Sequence, residues 1–585
     1  MLKLLRYLKP YWWQVIILLA MTGLQVWTLL QLPAIMASIV NDGIMMQDTA
    51  YIWQSGVKIV LFALIASVAA FIVNYFSARI GMGFSRDLRN DLFKQILSLS
   101  ITDINDFSTA SLITRTTNDI SQVQQAVTMC LMMLIRAPLT AILAIGQAIA
   151  TAPDMTWIIA LAVGILFVLI VIIMVIVMPK FKVIQKLTDR ITLLTRENLT
   201  GLKVIRAFNN EAVEQRRFAR TNHEYTRLAI VVDLIMSLQD PLISLVMNGT
   251  SIVCVWVGVS LMVNDISYLG DMMAFLQYAM QVIMAFLFLT MLFVVLPRAN
   301  VSAGRINEVM ERKPKIAWKS ETLGKPDLSP SVEFDKVDFS YAKAEEKVLS
   351  QVSFVAKAGE TTAFIGSTGS GKSTLINLVP RFYEPTAGKI KINGLDIQNY
   401  AQKDLMRRIG YVPQRGVLFS GTVKSNIMFG APELSEKQMH EAARIAQAEE
   451  FVEKLDKKYD SHIAQGGSNV SGGQKQRLSI ARAIAKDPDI YIFDDSFSAL
   501  DMKTDAKLRN ALKPVTKNAV TLIVAQRIST IQDADQIIVL DKGKMVGKGK
   551  HSDLLRSCEV YRQIAQSQLS EQEFAKEMKK GGGRA

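Results

Sequence analysis

Gly366-Ser-Thr-Gly-Ser-Gly371-Lys372-Ser373 directly follows the apolar run Thr361-Thr-Ala-Phe-Ile365, which predicts a buried strand. Glycines at this spacing let backbone N–H groups turn inward around phosphate oxygens, and the lysine reaches the terminal phosphates of a nucleotide. The serine hydroxyl that ends the motif is a ligand for Mg²⁺. Residues from Thr374 onward predict a helix whose positive end faces the anion. The stretch therefore predicts an α/β domain built around a phosphate-binding loop.

A long apolar region precedes this domain. Half of the 585 residues are hydrophobic, and the mean hydropathy is +0.24. A helix needs roughly 20 apolar residues to cross a bilayer core. Six stretches satisfy that requirement: 13–36, 57–79, 129–151, 157–178, 241–263 and 272–296.

The sequence predicts a multidomain chain. Residues 1–312 form an all-α transmembrane domain, 313–331 a proline-containing linker, and 332–570 a nucleotide-binding domain. Residues 571–585 are expected to be a tail, whose end Gly581-Gly-Gly-Arg-Ala585 is typical of a cloning scar.

Loop charges predict the orientation of the six spans. Residues 41–56, 151–156 and 264–271 contain no Lys or Arg and are expected outside the cell. The basic segments 79–115 and 180–227 are expected in the cytoplasm, together with both termini and an amphipathic helix over residues 1–9. Helical periodicity over 80–125 and 180–230 predicts membrane helices that continue inward, with turns near 101–109 and 205–213 against the nucleotide-binding domain.

The net charge of +14 could suggest a nucleic-acid partner. Lys and Arg crowd the loops between apolar spans, as expected beside anionic lipid, so we expect a lipid bilayer and no nucleic acid. The three cysteines, Cys130, Cys254 and Cys558, fit no metal or disulfide pattern.

Three charged residues lie in or beside the predicted spans: Arg136, Asp233 and Asp240. They either line a substrate or proton pathway, or they snorkel to the interface and pair with neighbouring helices. The sequence favours the second interpretation and leaves the first open. Most of the 27 methionines also lie in this region, where they either form an adaptable cavity or face lipid.

Val470-Ser-Gly-Gly-Gln474 lies about a hundred residues beyond the phosphate-binding loop and resembles LSGGQ, the signature of ATP-binding-cassette (ABC) ATPases. Three further stretches are similar to this family in order and spacing: Ile409–Gln414 to the Q-loop strand, Ile490–Asp494 to Walker B, and Ser498–Asp501 to the D-loop. The resemblance covers residues 1–570 and is to ABC exporters, in which the membrane domain is fused ahead of the cassette.

The resemblance implies where ATP and Mg²⁺ bind. Tyr341 would stack on adenine, and Gln414 and Asp494 would hold Mg²⁺ together with Ser373. The implied nucleotide contacts of this chain are Tyr341, Gly366, Ser367, Thr368, Gly369, Ser370, Gly371, Lys372, Ser373, Thr374, Gln414 and Asp494. The implied contacts to ATP held by a second cassette are Ser471, Gly472, Gly473, Gln474 and Asp501.

Two positions depart from the family at the catalytic centre. Asp495 stands where the family has the Glu that polarises the attacking water, and Gln526 stands where it has His. The carboxylate of Asp lies roughly 1.5 Å further back, one C–C bond length, and misplacement of about 1 Å can cost on the order of a hundredfold in rate. Glutamine carries no charge and shuttles no proton. A third, softer change is Gln465, where Glu is common.

These departures favour a hydrolysis-impaired site over neutral drift. We expect one subunit of a heterodimeric multidrug exporter in a bacterial plasma membrane, whose partner is a second, non-identical half-transporter and whose cargo is an amphipathic small molecule. The alternatives are a dedicated lipid or peptide exporter, a homodimer, and an ATP-gated channel or regulator.

Overall fold

A computed structural model describes residues 1–262, 268–327, 329–342 and 344–580. The chain folds into two compact units. The first comprises Met1–Leu97 and Ser108–Arg312, and the second comprises Ser98–Phe107 and the chain from Lys313 onward. The predicted tail end, 581–585, and the first half of the predicted outer loop 264–271 lie outside the described residues.

The described residues of the first unit form helices joined by short turns. The α-helices up to residue 310 are α1 Trp12–Ser38, α2 Thr49–Ser98, α3 Ile101–Phe107, α4 Thr109–Thr114, α5 Ile120–Met129, α6 Arg136–Thr151, α7 Thr156–Thr200, α8 Leu202–Ala207, α9 Glu211–Ser237, α10 Gln239–Met262 and α11 Tyr268–Met310. All except α3 belong to the first unit. Short 3₁₀ and π-helical segments extend or connect them, at Leu2–Tyr11, Ile39–Ile44, Arg115–Asp119, Cys130–Leu134 and Pro153–Met155.

Within the described residues, six helical segments are long and apolar enough to cross a membrane. They are Leu2–Ile44, Thr49–Ser98, Thr109–Thr151, Pro153–Thr200, Glu211–Leu261 and Leu269–Met310. Each exceeds the predicted apolar span, because the helices continue into polar sequence at one or both ends.

Small side chains let α1, α6 and α11 pack closely. Ala144 and Ala148 of α6 and Ala279 of α11 are fully buried in one apolar cluster. The hydroxyl of Tyr278 in α11 donates a hydrogen bond to the Leu30 carbonyl of α1 at 3.1 Å. Without water in the bilayer to drive association, such close contacts and interhelical hydrogen bonds stabilise the bundle.

The predicted span 129–151 is not one continuous α-helix. A π-helical turn, Cys130–Leu134, separates α5 from α6. Pro138 lies in the first turn of α6 and has no N–H to donate to the Leu134 carbonyl, so the regular bonding of that turn is interrupted.

The second unit is built on a ten-stranded sheet in the order β5-β4-β1-β2-β12-β11-β3-β10-β9-β6. The strands are β1 Ser331–Phe339, β2 Leu349–Lys357, β3 Thr361–Gly366, β4 Ala387–Ile392, β5 Leu395–Asp396, β6 Ile409–Val412, β9 Ile490–Asp494, β10 Val520–Val524, β11 Gln536–Asp541 and β12 Lys544–Gly549, with β7 Gly421–Thr422 and β8 His462–Ile463 forming a separate pair. Strands β11, β3, β10, β9 and β6 are parallel neighbours, so their carboxyl ends share one edge.

Helices cover this sheet. They are α12 Lys372–Leu378, α13 Gln402–Arg407, α14 Val423–Ile427, α15 Glu436–Ile445, α16 Glu449–Val452, α17 Gly472–Ala485, α18 Met502–Leu512, α19 Ile528–Ile531, α20 His551–Ser557, α21 Glu559–Gln568 and α22 Glu571–Lys580. The predicted tail is therefore helical up to Lys580, and Phe574 packs against the apolar core.

Helix α3 belongs to the second unit, although the sequence places it inside the first. Asp103 is fully buried, and its carboxylate accepts a hydrogen bond from the Lys315 backbone N–H at 3.0 Å. The Lys315 ammonium donates to Asp106 at 2.9 Å. These contacts join residues more than 200 positions apart, and helical periodicity carries no information about them.

Candidate nucleotide-binding site

The phosphate-binding loop joins β3 to α12. Gly371 has a φ of 94°, and a Cβ there would lie 2.8 Å from the Leu349 side chain, so only glycine fits. The Lys372 ammonium donates to the carbonyls of Gly366 and Ser367 at 2.9 and 2.8 Å. Burial lowers the pKa of Lys372, while the nearby carboxylates of Asp495 and Asp494 oppose that shift. The lysine thus lies over the loop, where a phosphate oxygen could replace the two carbonyls.

Two buried carboxylates follow one another at the end of β9. Asp494 ends the strand, and its Oδ1 accepts a hydrogen bond from the Ser373 hydroxyl at 2.9 Å. Burial raises the pKa of Asp494, and the hydrogen bond from Ser373 works against that shift. A hydroxyl and a carboxylate held this close are a donor set that suits Mg²⁺. When bound, Mg²⁺ would supply charge neutralisation for the phosphates.

The carboxylate of Asp495 is held by two amides. Gln526 and Gln414 both donate from Nε2 to the same oxygen, Oδ2, at 2.7 and 3.2 Å. Burial raises the pKa of Asp495, and the hydrogen bond from Gln414 opposes the rise.

The backbone of Asp495 is in the left-handed region, with a φ of 47°. Its N–H donates to the Val524 carbonyl at 3.0 Å, and its carbonyl accepts from the Ser498 hydroxyl at 2.8 Å. Asp and Asn adopt this conformation more readily than other L-residues, and such backbone strain is characteristic of functional sites.

Except for that of Asp494, the charged and amide side chains described above line one cleft of about 380 Å³, within the size range of small-molecule sites. It is lined by Tyr341, Val348, Thr368, Gly369, Gly371, Lys372, Ser373, Thr374, Gln414, Asp495, Val524 and Gln526. Tyr341 is 38% exposed, and its hydroxyl shares a hydrogen bond of 2.9 Å with Thr374. The cleft therefore joins an aromatic ring to a phosphate-binding loop, which fits a nucleotide.

The Val470–Gln474 segment does not line this cleft. Ser471 is the N-cap of α17: its hydroxyl accepts from the Gln474 N–H at 3.3 Å, while the Gln474 side chain accepts from the Ser471 N–H at 2.9 Å. Ser471 and Gly472 are exposed, and a Cβ added to Gly472 would meet open space. Asp501 caps α18 through the Thr504 N–H at 2.9 Å. This helix N-terminus therefore faces outward and is available to an anion held elsewhere.

Comparison with known proteins identifies the family. The ABC transporter transmembrane region matches residues 15–286, and the ABC transporter domain matches residues 349–498. An uncharacterised ABC transporter ATP-binding protein of Mycobacterium tuberculosis (strain ATCC 25618 / H37Rv) is 39% identical over 97% of this chain and 98% of its own length. The chain belongs to the ABC transporter family.

Other ABC transporters match along most of this chain. An uncharacterised ABC transporter ATP-binding protein of Bacillus subtilis (strain 168) is 36% identical over 97% of this chain and 99% of its own length. An ATP-dependent lipid A-core flippase of Syntrophus aciditrophicus (strain SB) is 33% identical over 85% of this chain and 83% of its own length. A bacterial Atm1-family ABC exporter solved with ATP bound superposes with a TM-score of 0.80 at 24% identity, covering 96% of this chain and 99% of that one.

The fold class predicted from the sequence is confirmed: this ABC transporter has six membrane-spanning helices and an α/β nucleotide-binding domain. The ABC transporter domain implies ATP binding and ATPase activity.

Sequence reasoning missed Gln568, at the end of α21. Its Nε2 donates to the Gln526 carbonyl at 2.7 Å, and its Oε1 accepts from the Ile528 N–H at 2.8 Å. It also missed Tyr383, which packs edge-on against Tyr341 with ring centroids 5.4 Å apart. Neither belongs to a motif, so only the fold could reveal them.

Proposed function

We propose that this ABC transporter is the hydrolysis-impaired half of a heterodimeric exporter of amphipathic compounds. The observation that carries the proposal is the arrangement of Asp495, whose Oδ2 is occupied by Gln526 at 2.7 Å and by Gln414 at 3.2 Å. A carboxylate that accepts two amide hydrogen bonds is oriented by the protein and is a weaker acceptor for an attacking water.

Gln526 strengthens this interpretation. Its amide donates to Asp495 and has no titratable nitrogen, so it cannot relay a proton from the reacting centre. ATP bound at Lys372 and Ser373 would therefore be held for long periods, with Mg²⁺ at Ser373, Gln414 and Asp494.

The exposed Ser471–Gln474 turn supports the need for a partner. Its hydroxyl and glycine amides face away from the cleft of their own chain. They would complete the site of a second half-transporter that carries Glu and His at the equivalent positions, and turnover would occur there.

Two observations support the proposed cargo and location. The membrane helices carry few fixed charges, and a relative that is 33% identical is named as a lipid A-core flippase. Drug-like or lipid-like amphiphiles leaving the cytoplasm through a bacterial plasma membrane fit both observations.

The test compares two substitutions in the reconstituted pair. We expect Asp495→Ala in this chain to leave most ATPase activity, because this pocket contributes little turnover. Replacing the catalytic Glu of the partner with Gln should abolish turnover. Equal loss from both substitutions, or brisk hydrolysis by this chain alone, would contradict the impaired-site proposal and favour a homodimer.

A further inference from the structure

Arg136, itself exposed, lines an open cavity on one face of the helical bundle. The cavity measures about 130 Å³ and lies between α1, α6 and α11; it is lined by Leu29, Met133, Arg136, Ala137, Thr140, Gln281, Met284, Ala285 and Phe288. No carboxylate lies among these residues. A site of this volume holds several waters or a small polar head group.

Two polar groups in the cavity lack partners. No ion pair or hydrogen bond joins Arg136 to any residue that the structure describes, and the Oε1 atom of Gln281 is buried without a hydrogen-bond partner among them. Arg136 has only donors to offer, whereas Gln281 offers an acceptor as well as donors. A ligand with an anionic oxygen and a hydroxyl would satisfy both.

The depth of the two residues argues against simple snorkelling. Arg136 lies 15 residues before the end of α6 at Thr151, and Gln281 lies 13 residues after the start of α11 at Tyr268. At 1.5 Å per residue, each is about 20 Å from the helix end that the loop charges place outside. They therefore meet at one level, within the inner half of a bilayer core of about 30 Å.

The interrupted turn Cys130–Leu134 immediately precedes Arg136. Irregular backbone and a charged residue are retained inside a membrane domain chiefly where they line a cavity or pathway. The remaining lining, from Leu29, Met133, Met284 and Phe288, suits an acyl chain or another apolar body.

We propose that this cavity binds the anionic, hydroxyl-bearing head group of an amphiphile, with Arg136 holding the charge and Gln281 the hydroxyl. The inference rests on the proposed export function, because it narrows the amphipathic cargo to anionic lipid-like molecules. Arg136 is thus assigned to the substrate pathway, the alternative that the sequence left open.

The test uses binding in phosphatidylcholine nanodiscs without ATP. The probes are 2-hydroxydodecanoic acid, which carries a fluorophore at the far end of its chain, and its methyl ester, whose head group has lost the charge. We expect the acid to bind at least about tenfold more tightly than the ester, since a charge-assisted hydrogen bond is lost in the ester. Arg136→Gln should remove this preference, and Arg136→Lys should retain part of it.

Arg79→Gln is the matched control, because Arg79 lies in α2 and bonds the Tyr75 hydroxyl rather than lining the cavity. Gln281→Leu should weaken binding of the acid but leave the preference for the acid over the ester unchanged. Equal binding of acid and ester, or unchanged preference in Arg136→Gln, would overturn the proposal.

Competition separates lipid head groups from free anions. We expect phosphatidylglycerol in the nanodisc to displace the acid and excess inorganic phosphate to leave it bound. If inorganic phosphate displaced the acid and phosphatidylglycerol did not, the assignment to an amphiphile would be overturned. These measurements need neither ATP turnover nor a partner, so their failure is distinguishable from failure of the proposed ATPase asymmetry.

Discussion

At the residue scale, Asp495 and Gln526 act as a pair. Each could be identified from the sequence as a departure from its family, but the sequence could not show that they bond each other at 2.7 Å, nor that Gln414 shares the same oxygen. That geometry depends on three loops at the carboxyl edge of the sheet, which no local pattern encodes.

Restoring the two family residues should restore hydrolysis in this pocket. We expect Asp495→Glu with Gln526→His to raise turnover by about one to two orders of magnitude in a pair whose partner site is disabled, since the carboxylate gains reach and the imidazole can move a proton. Single-turnover hydrolysis in that background measures the effect. Gln526→Ala combined with Asp495→Glu controls for removal of the amide alone. Equal hydrolysis by the two double variants would contradict a role for the imidazole.

The left-handed backbone of Asp495 adds a cost to that change. Glu tolerates a φ of 47° less well than Asp, so Asp495→Glu should lower the free energy of unfolding by about 1 kcal/mol. A thermal melt of the nucleotide-free protein, compared with Asp505→Glu in α18, would show this as a lower Tm.

Asp494 should lower the stability of the nucleotide-free protein. Burial raises its folded pKa, so the ionised form is disfavoured by folding, and this penalty is present above the pKa and absent once acid protonates the group. We expect Asp494→Asn to raise the Tm of the nucleotide-free protein at pH 7 by a few degrees, at about 2–4 °C per kcal/mol. Melts from pH 7 down to pH 4 should show this gain shrinking; a gain that grows in acid would contradict the sign.

At the element scale, the strands around the site were accessible to sequence reasoning. Apolar runs ending in Gly366 and Asp494 predict β3 and β9 because strands buried on both faces are apolar throughout. Helix α21 was not assigned any role, because its polar surface resembles any solvent-facing helix.

The hydrogen bonds from α21 predict a positioning role for Gln568. Gln568→Ala removes both bonds to the backbone of residues 526 and 528, each worth about 0.5–1.5 kcal/mol. The freed loop should hold Gln526 less firmly, so bound ATP should dissociate several-fold faster, and the Tm should fall by several degrees, at about 2–4 °C per kcal/mol. Stopped-flow release of a fluorescent ATP analogue measures this.

Gln563→Ala is the matched control, because Gln563 lies on the same helix and bonds only Glu559, at 3.3 Å. Equal acceleration in both variants would mean that α21 acts through general stability. Gln568→Glu, which keeps the acceptor for the Ile528 N–H, should fall between wild type and Gln568→Ala.

At the scale of the whole molecule, hydropathy predicted six spans, and the described residues contain six helical segments that qualify. Helical periodicity over 80–125 and 180–230 also predicted that helices continue beyond the apolar spans, as α2, α7 and α9 do. The residues at which they end could not be predicted, because the ends of polar helices depend on contacts with neighbouring helices. The sequence predicted a turn near residues 101–109 against the nucleotide-binding domain, and residues 98–107 belong to the second unit. It did not predict that this segment forms helix α3.

The loop charges make a direct topological prediction. With Cys130, Cys254 and Cys558 replaced by Ala, a cysteine at Gln47 should react with a membrane-impermeant maleimide in intact cells, and one at Asn209 only after permeabilisation. Both positions lie in turns with positive φ, so they are matched in local structure. Labelling of Asn209→Cys in intact cells would contradict the predicted orientation of the spans.

The buried Asp103–Lys315 hydrogen bond has a practical corollary for truncation. The chain passes between its units at residues 97/98, 107/108 and 312/313, so a protease that cuts the linker severs one tether of three. A soluble fragment beginning at Lys313 would lack α3 altogether and leave the Lys315 N–H without its carboxylate. Adding residues 98–107 as a separate peptide should restore the stability of such a fragment.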